Sequence, residues 1–87
     1  MKIEIEIEDY NKENGIMLKW EKGFSIAVKA ECNEIVISAN KEGLYSLAKH
    51  LLSLAQSDVE EGTHIHLDEY NSLEEESIDL IIQRCSD

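Results

Sequence analysis

One stretch of the chain, residues 40–57 (NKEGLYSLAKHLLSLAQS), is the only segment whose apolar residues repeat with helical spacing. These residues recur at three- and four-residue steps and share one broad stripe, formed by Leu44, Leu47, Ala48, Leu51, Leu52, Leu54 and Ala55. Asn40 suits the N-cap, because its side-chain oxygen can accept a hydrogen bond from a free N–H of the first turn. The pattern predicts a helix over 40–57 that packs on a sheet through Leu44, Leu47, Leu51 and Ala55.

Gly43 is an unusual residue for the first turns of that helix. Glycine costs about 1 kcal/mol relative to alanine in a helix interior, though less near an end. We therefore expect Gly43 to mark a close approach of the helix backbone to a neighbouring strand.

The remaining segments alternate apolar and polar residues, as half-buried strands do. Six strands are predicted, over Lys2–Glu8, Ile16–Glu21, Phe24–Cys32, Glu34–Ala39, Thr63–Asp68 and Ser77–Cys85. Short turns join the first four strands, which indicates an antiparallel meander. The element order ββββαββ predicts an α+β fold, in which one amphipathic helix covers one face of a mostly antiparallel sheet of about six strands. The pattern leaves the strand order open.

The length and composition set the scale of the fold. With 87 residues, 43% of them apolar, the chain suits one domain over residues 1–87. No apolar run approaches the ~20 residues that span a bilayer. The N-terminal MKIEIEIED lacks the basic start and apolar block of a signal peptide, and Cys32 and Cys85 are expected to be reduced thiols. We expect a cytoplasmic protein.

The net charge of −11 is distributed unevenly along the chain. Residues 1–49 carry seven lysines and nine acidic residues, net −2, whereas residues 50–87 carry Arg84 against ten acidic residues, net −9. This balance argues against nucleic acid and against anionic membranes as partners, because phosphate binding needs cations. It suits a basic protein partner, with ordinary solubility as the competing explanation.

Three polar residues on the predicted fifth strand are the candidate metal ligands. His64, His66 and Asp68 alternate along the strand and therefore share one face. However, alternate residues are ~6.6 Å apart along the backbone, and a structural zinc site needs four ligands. We predict that this face binds no metal, and interpret it as a polar surface or a partner contact.

The sequence contains no convincing catalytic constellation. There is no phosphate-binding glycine loop and no nucleophile elbow. His50 is expected to be a solvated residue at the edge of the helical stripe, and Trp20 a core residue. We therefore predict no enzymatic activity and no cofactor.

Two acidic runs are the more informative feature. The first, Asp58, Glu60 and Glu61, follows the helix C-terminus, where the macrodipole favours cations. The second is Glu74, Glu75 and Glu76. Both flank the fifth strand, which could bring them together, and local rules broken without compensation often mark function. The competing interpretation is a solvated loop face.

The strings NKEGLYSLAKHLLSLAQ, GTHIHLDEYNSLEE and SIDLII together resemble family 32 of the bacterial immunity proteins from polymorphic toxin systems. The resemblance covers roughly residues 35–83. It implies a small cytoplasmic α+β protein that binds and neutralises a cognate toxin, and it brings no catalytic residues. The resemblance would place a turn glycine before Ser77, where this chain has Glu76.

Two function classes therefore remain after the sequence alone. An immunity protein would contact a basic toxin surface through Asp58, Glu60, Glu61, His64, His66, Asp68, Glu74, Glu75 and Glu76. The alternative is a small metal- or ligand-binding protein or enzyme that uses the His64, His66 and Asp68 face. Neither the toxin, its chemistry nor the oligomeric state follows from the sequence.

Overall fold

The structure, a computed structural model, describes all residues 1–87 and contains one helix and four strands. They are β1 (Ile26–Glu31), β2 (Glu34–Ala39), α1 (Lys41–Leu54), β3 (His64–Leu67) and β4 (Leu80–Gln83). The α+β class is confirmed, and the helix lies within its predicted range. No helix of the chain has the length and apolar character that crossing a bilayer requires.

The strands form two separate antiparallel hairpins, β1–β2 and β3–β4, and not one six-stranded sheet. In the first, Ile26 lies opposite Ala39, and the register runs to Glu31 opposite Glu34. Both residues of the intervening turn, Cys32 and Asn33, have positive φ angles, 48° and 66°. This is the turn geometry that matches the right-handed twist of the two strands.

The predicted strands Lys2–Glu8 and Ile16–Glu21 are wrong, because neither segment pairs with another strand. Both keep the alternation of burial that the sequence indicated, but side chains of α1 and of the turn after it bond to their backbones. The Glu21 N–H donates to Ser46 Oγ at 2.8 Å, and the Glu8 carbonyl oxygen accepts from Gln56 Nε2 at 3.2 Å. The prediction failed because alternation reports which face is buried and not what bonds the backbone.

Residues 74–78 join the two hairpins along the free edge of β1. The Glu74 N–H donates to the Ile26 carbonyl oxygen, and the Ile78 N–H donates to the Val28 carbonyl oxygen, both at 2.9 Å. Between them, Ser77 Oγ accepts a hydrogen bond from the Val28 N–H at 3.1 Å. Strand β1 is therefore bonded on both edges, whereas β2 pairs with β1 alone.

The start of α1 is tied to the segment that leads into β1. Asn40 is the N-cap, as predicted: its Oδ1 accepts from the Gly43 N–H at 2.8 Å and from the Ser25 N–H at 3.0 Å. A Cβ at position 43 would lie 2.6 Å from the Ser25 carbonyl oxygen and 2.9 Å from Ile26 Cγ1. The expectation that Gly43 marks a close backbone approach is confirmed.

The predicted packing face of the helix is wrong by part of a turn. Leu47 is buried, but Leu44 and Leu51 are 56% and 47% exposed, and Ala55 is also exposed. The residues of α1 that are buried are Gly43, Ser46, Leu47, His50 and Leu54. Because Gly43 must face β1, the residues three, four, seven and eleven positions later follow on the same side, whatever their polarity.

Two clusters of buried apolar side chains form the core. Ile26 and Val28 of β1 pack with Leu47, Leu67 and Leu73. The second cluster, Leu54, Val59 and Ile65, lies near the end of the helix. Trp20 is partly buried against the first cluster, which agrees with its predicted core position.

Replacing Leu47 by alanine tests this arrangement, with Leu51→Ala as the matched control. Leu47→Ala should lower the free energy of unfolding by about 2–5 kcal/mol, as for other buried large-to-small changes. Leu51→Ala should change it by about 0.5 kcal/mol or less, since its side chain is half exposed. Urea denaturation of both variants measures the difference. Equal losses in the two would contradict the observed rotation of the helix.

Candidate functional site

Strand β3 presents its histidines as the sequence predicted. Ile65 and Leu67 are buried, while His64 and His66 are exposed and Asp68 is half-buried. His64 stands apart from the other two, since its Nδ1 lies 3.1 Å from the Gly62 carbonyl oxygen. The predicted trio is therefore a pair, His66 and Asp68, with His64 turned toward the preceding loop.

Asp79 completes this pair, and the sequence analysis missed it. Leu67 lies opposite Leu80, and continuing that register by one residue places Asp68 opposite Asp79. His66 Nε2 lies 2.8 Å from Asp79 Oδ2 and 3.9 Å from Asp68 Oδ2. In the sequence, Asp79 occupies a solvent-facing position of the predicted last strand. Only the register of β3 against β4 shows that it lies beside His66.

These three residues have the chemistry of a partial cation site. One ligand atom from each of His66, Asp68 and Asp79 lies within 4.8 Å of the others. The second oxygen of Asp68 is already used, because Oδ1 accepts hydrogen bonds from the Tyr70 and Asn71 N–H groups. Structural zinc takes four protein ligands, whereas three suit an open site completed by water. The predicted absence of a bound metal stays a prediction.

Metal analysis of protein purified without an affinity tag tests that prediction. We expect no stoichiometric zinc by native mass spectrometry, because a structural zinc site takes four protein ligands and this group supplies three, each of them at least partly exposed to water. His66→Ala and His64→Ala form a matched pair of variants, since only His66 belongs to the group. One zinc per chain that is lost in His66→Ala and kept in His64→Ala would contradict the prediction.

The two acidic runs lie beyond opposite ends of the β3–β4 hairpin. Asp58, Glu60 and Glu61 precede β3 next to the end of β4, where the Gly62 N–H donates to the Arg84 carbonyl oxygen at 2.9 Å. Residues 74–76 lie before the start of β4, against β1. The length of β3 between them is roughly 10 Å. The structure therefore places the two runs at separate ends and not in one patch.

Only some of these acidic side chains are free of partners. Glu60 forms a salt bridge of 2.8 Å with Lys12, and the Glu74 carboxylate accepts a hydrogen bond from Ser25 Oγ at 2.9 Å. The Glu60 carboxylate raises the pKa of Lys12, first through the hydrogen bond and then through its charge. The side chains without a hydrogen bond or salt bridge are those of Asp58, Glu61, Glu75 and Glu76.

The acids after α1 are compensated, contrary to the sequence analysis. Arg84, which follows β4, reaches the helix C-terminus, and its Nη1 donates to the Leu54 and Gln56 carbonyl oxygens at 2.8 and 2.9 Å. A cation at the carbonyl end of a helix is favourable to the macrodipole. The position of Asp58, Glu60 and Glu61 therefore does not by itself indicate function.

Glu76 occupies a backbone conformation that favours glycine. Its φ angle is +69°, so the turn before Ser77 has the left-handed geometry for which a glycine was expected. The Glu76 N–H donates to Glu69 Oε2 at 3.0 Å, and Lys29 Nζ donates to the Glu76 carbonyl oxygen at 3.1 Å. These bonds hold a conformation that costs of order 1–3 kcal/mol.

His50 is buried, not solvated as predicted. Its side chain is 1% exposed and contacts Trp20 edge-on, with ring centroids 4.4 Å apart. Nε2 lies 3.0 Å from the Lys19 carbonyl oxygen, so it must donate, which leaves Nδ1 as an acceptor. That Nδ1 atom is buried without a hydrogen-bond partner. Burial lowers the pKa of His50; the hydrogen bond to the Lys19 carbonyl group opposes this with a smaller effect, and the charge of Lys49 adds a still smaller lowering.

The lowered pKa of His50 predicts a loss of stability in mild acid. As the pH falls below about 6.5, the unfolded chain takes up a proton at His50 before the folded protein does, so the free energy of unfolding decreases. His50→Gln can keep a donor toward Lys19 but cannot titrate. Urea denaturation above and below pH 6.5 should show the wild type losing stability relative to His50→Gln. A constant difference between the two proteins across that range would rule out the effect.

One comparison with known proteins gives a match. The model of the Immunity protein 32 family matches residues 34–85, which is more than half of the chain and includes β2, α1, β3 and β4. No curated protein and no solved structure matches the chain. The matched region contains His66, Asp68, Asp79 and both acidic runs, and residues 1–33 lie outside it.

Proposed function

The chain belongs to the Immunity protein 32 family, and from this membership we propose that it binds and neutralises a cognate toxin of a bacterial polymorphic toxin system. The single observation that carries the proposal is the family match over residues 34–85. In this function the protein acts by occupying a surface of the toxin, in the cytoplasm of the producing cell, and has no catalytic activity of its own.

The charge distribution supports a toxin with a basic surface. The C-terminal half of the chain carries one arginine against ten acidic residues, and that arginine is used internally to cap α1. Opposite charge on the partner would accelerate the encounter of the two proteins. The proposed contacts are the two acidic runs and the exposed face of β3, which comprise Asp58, Glu60, Glu61, His64, His66, Asp68, Glu74, Glu75 and Glu76.

The partners of these side chains divide them into two groups. Glu60 and Glu74 already bond within the chain, so a toxin would have to compete for them. Glu61 and Glu75 have no internal partner and lie at different ends of the hairpin. Because roughly 10 Å of strand separates the ends, and salt screens charge over ~8 Å at physiological ionic strength, each end can be tested by itself.

Charge reversal at Glu61 and at Glu75 tests the electrostatic part of the proposal. The probe is the toxin domain encoded by the reading frame beside the gene for this chain. Glu61→Lys or Glu75→Lys should slow association and flatten its dependence on salt, because long-range attraction acts mainly on the association rate. The matched control is Glu31→Lys, an equal change of charge at the end of β1.

Association kinetics at low and high salt separate the possible outcomes. A slower rate at one end of the hairpin only would locate the basic surface of the toxin at that end. Rates that ignore both salt and the reversals would show that the acidic runs serve solubility and that the toxin docks elsewhere. An adjacent-gene toxin domain that does not bind the wild-type protein would contradict the proposed function itself.

Cation binding is the second candidate function, and the approach of His66, Asp68 and Asp79 is the observation that favours it. Asp68 directly follows β3 and Asp79 directly precedes β4, and no lysine or arginine forms a salt bridge with either of them. Repeating the toxin association in the presence of a chelator separates the two functions. An immunity protein of the proposed kind binds its toxin equally well without free metal.

A further inference from the structure

The backbone of the first seven residues is unpaired. No N–H or C=O group of residues 1–7 takes part in a hydrogen bond within the chain. The segment is held just beyond that point, where Gln56 Nε2 donates to the Glu8 carbonyl oxygen at 3.2 Å and Gln56 Oε1 accepts from the Tyr10 N–H. Lys19 forms a salt bridge with the Glu8 carboxylate. Polar contacts therefore hold this segment only at its C-terminal end, at residues 8–10.

This segment nevertheless has the character of a strand. Its sequence, KIEIEIE, alternates without interruption, and isoleucine has a high preference for strands. The burial alternates over the second half of the segment: Ile5 and Ile7 are half-buried, while Glu4, Glu6 and Glu8 are exposed, and Ile3 is exposed as well. Isoleucines thus attach one side of the segment to the protein, and its polar backbone groups are left without partners. A row of unpaired backbone groups is a template for an added strand.

The glutamates decide what kind of strand can be added. In an antiparallel pair with a second copy of the chain, Ile5 opposite Ile5 would place Glu4 opposite Glu6, and like charges directly opposite each other are destabilising. A shift by one residue would place isoleucines opposite glutamates and mismatch the two faces. The net charge of −11 adds general repulsion between copies. A strand with lysine or arginine at alternate positions would instead place cations opposite the glutamates, without like-charge pairs and without mismatched faces.

We propose that residues 2–8 are the site where an extended segment of the toxin, with lysine or arginine at alternate positions, adds as a strand beside Glu4, Glu6 and Glu8. This inference rests on the proposed toxin-binding function. It adds a toxin contact in residues 1–33, which lie outside the family match. A cavity of about 380 Å³ between residues 6–10, residues 15–19 and α1 leaves room for a side chain of that segment.

Backbone pairing is tested by Glu6→Pro, with Glu6→Ala as its matched control. Both variants remove the same exposed carboxylate, but only proline removes the N–H group at position 6. The same adjacent-gene toxin domain is the probe. We expect it to bind Glu6→Pro about tenfold or more weakly than Glu6→Ala, because an acceptor on the toxin strand loses its donor. Unchanged urea denaturation of both variants verifies that they fold.

Hydrogen–deuterium exchange of the full-length wild-type protein locates the added strand. The amides of residues 3–7 have no hydrogen-bond acceptor within the chain, so they should exchange freely in the protein alone and slow by about tenfold or more in the complex. Glu4→Lys should slow association more than Glu4→Gln does, because it places a cation against the cations of the toxin strand.

Four results would overturn the inference. Equal toxin affinity of Glu6→Pro and Glu6→Ala would show that no strand pairs at position 6. Protection that appears over residues 34–39 would place the toxin on the free edge of β2. Protection of residues 3–7 in a dimer of the protein alone would identify a second copy as the occupant. Failure of the wild-type protein to bind the toxin would remove the proposed function together with this inference, whereas the first two results leave that function in place.

Discussion

The contact between Gly43 and the start of β1 is the constraint on which the rest of the structure depends. The helix backbone comes so close to Ser25 and Ile26 that no side chain fits between them. Asn40 fixes the same junction by bonding both to the helix and to residues 23–25. Together they set where the helix begins and how it is rotated. Every later residue of α1 then faces inward or outward according to its distance from Gly43.

That rotation explains why polar side chains occupy the buried face of the helix. Ser46 and His50 of α1, together with Gln56 in the turn after it, bond to backbone groups of residues 8–10 and 19–21, in the way a neighbouring strand would. The apolar stripe is displaced from the core as a result, and several of its leucines are exposed. A buried polar group is stable when it is bonded, and here the bonds organise two segments that would otherwise have no partner. Only Nδ1 of His50 lacks one, and the lowered pKa keeps that ring neutral.

The surface proposed to meet the toxin depends on the same internal bonds. Arg84 caps α1 and Lys12 pairs with Glu60, so neither cation is free to neutralise the other acidic residues. Unpaired acids therefore remain at each end of the β3–β4 hairpin. The unpaired residues 1–7 carry two further exposed acids, Glu4 and Glu6. In the proposed function, these exposed acids would raise the rate at which the protein meets a toxin with a basic surface.

The sequence by itself determined the features that depend on neighbouring residues. The helix and its Asn40 cap, the β2 strand, the alternation along β3 and the close approach at Gly43 all follow from local pattern. The family resemblance could also be recognised from the sequence, because it depends on residue identities alone. Tertiary structure decided whatever depends on residues far apart in the chain. Alternation could not reveal that residues 2–8 and 16–21 lack a paired strand, since it is the same for a paired and an unpaired segment. Asp79 beside His66, and Arg84 at the end of α1, required the register of β3 against β4, which no local pattern encodes.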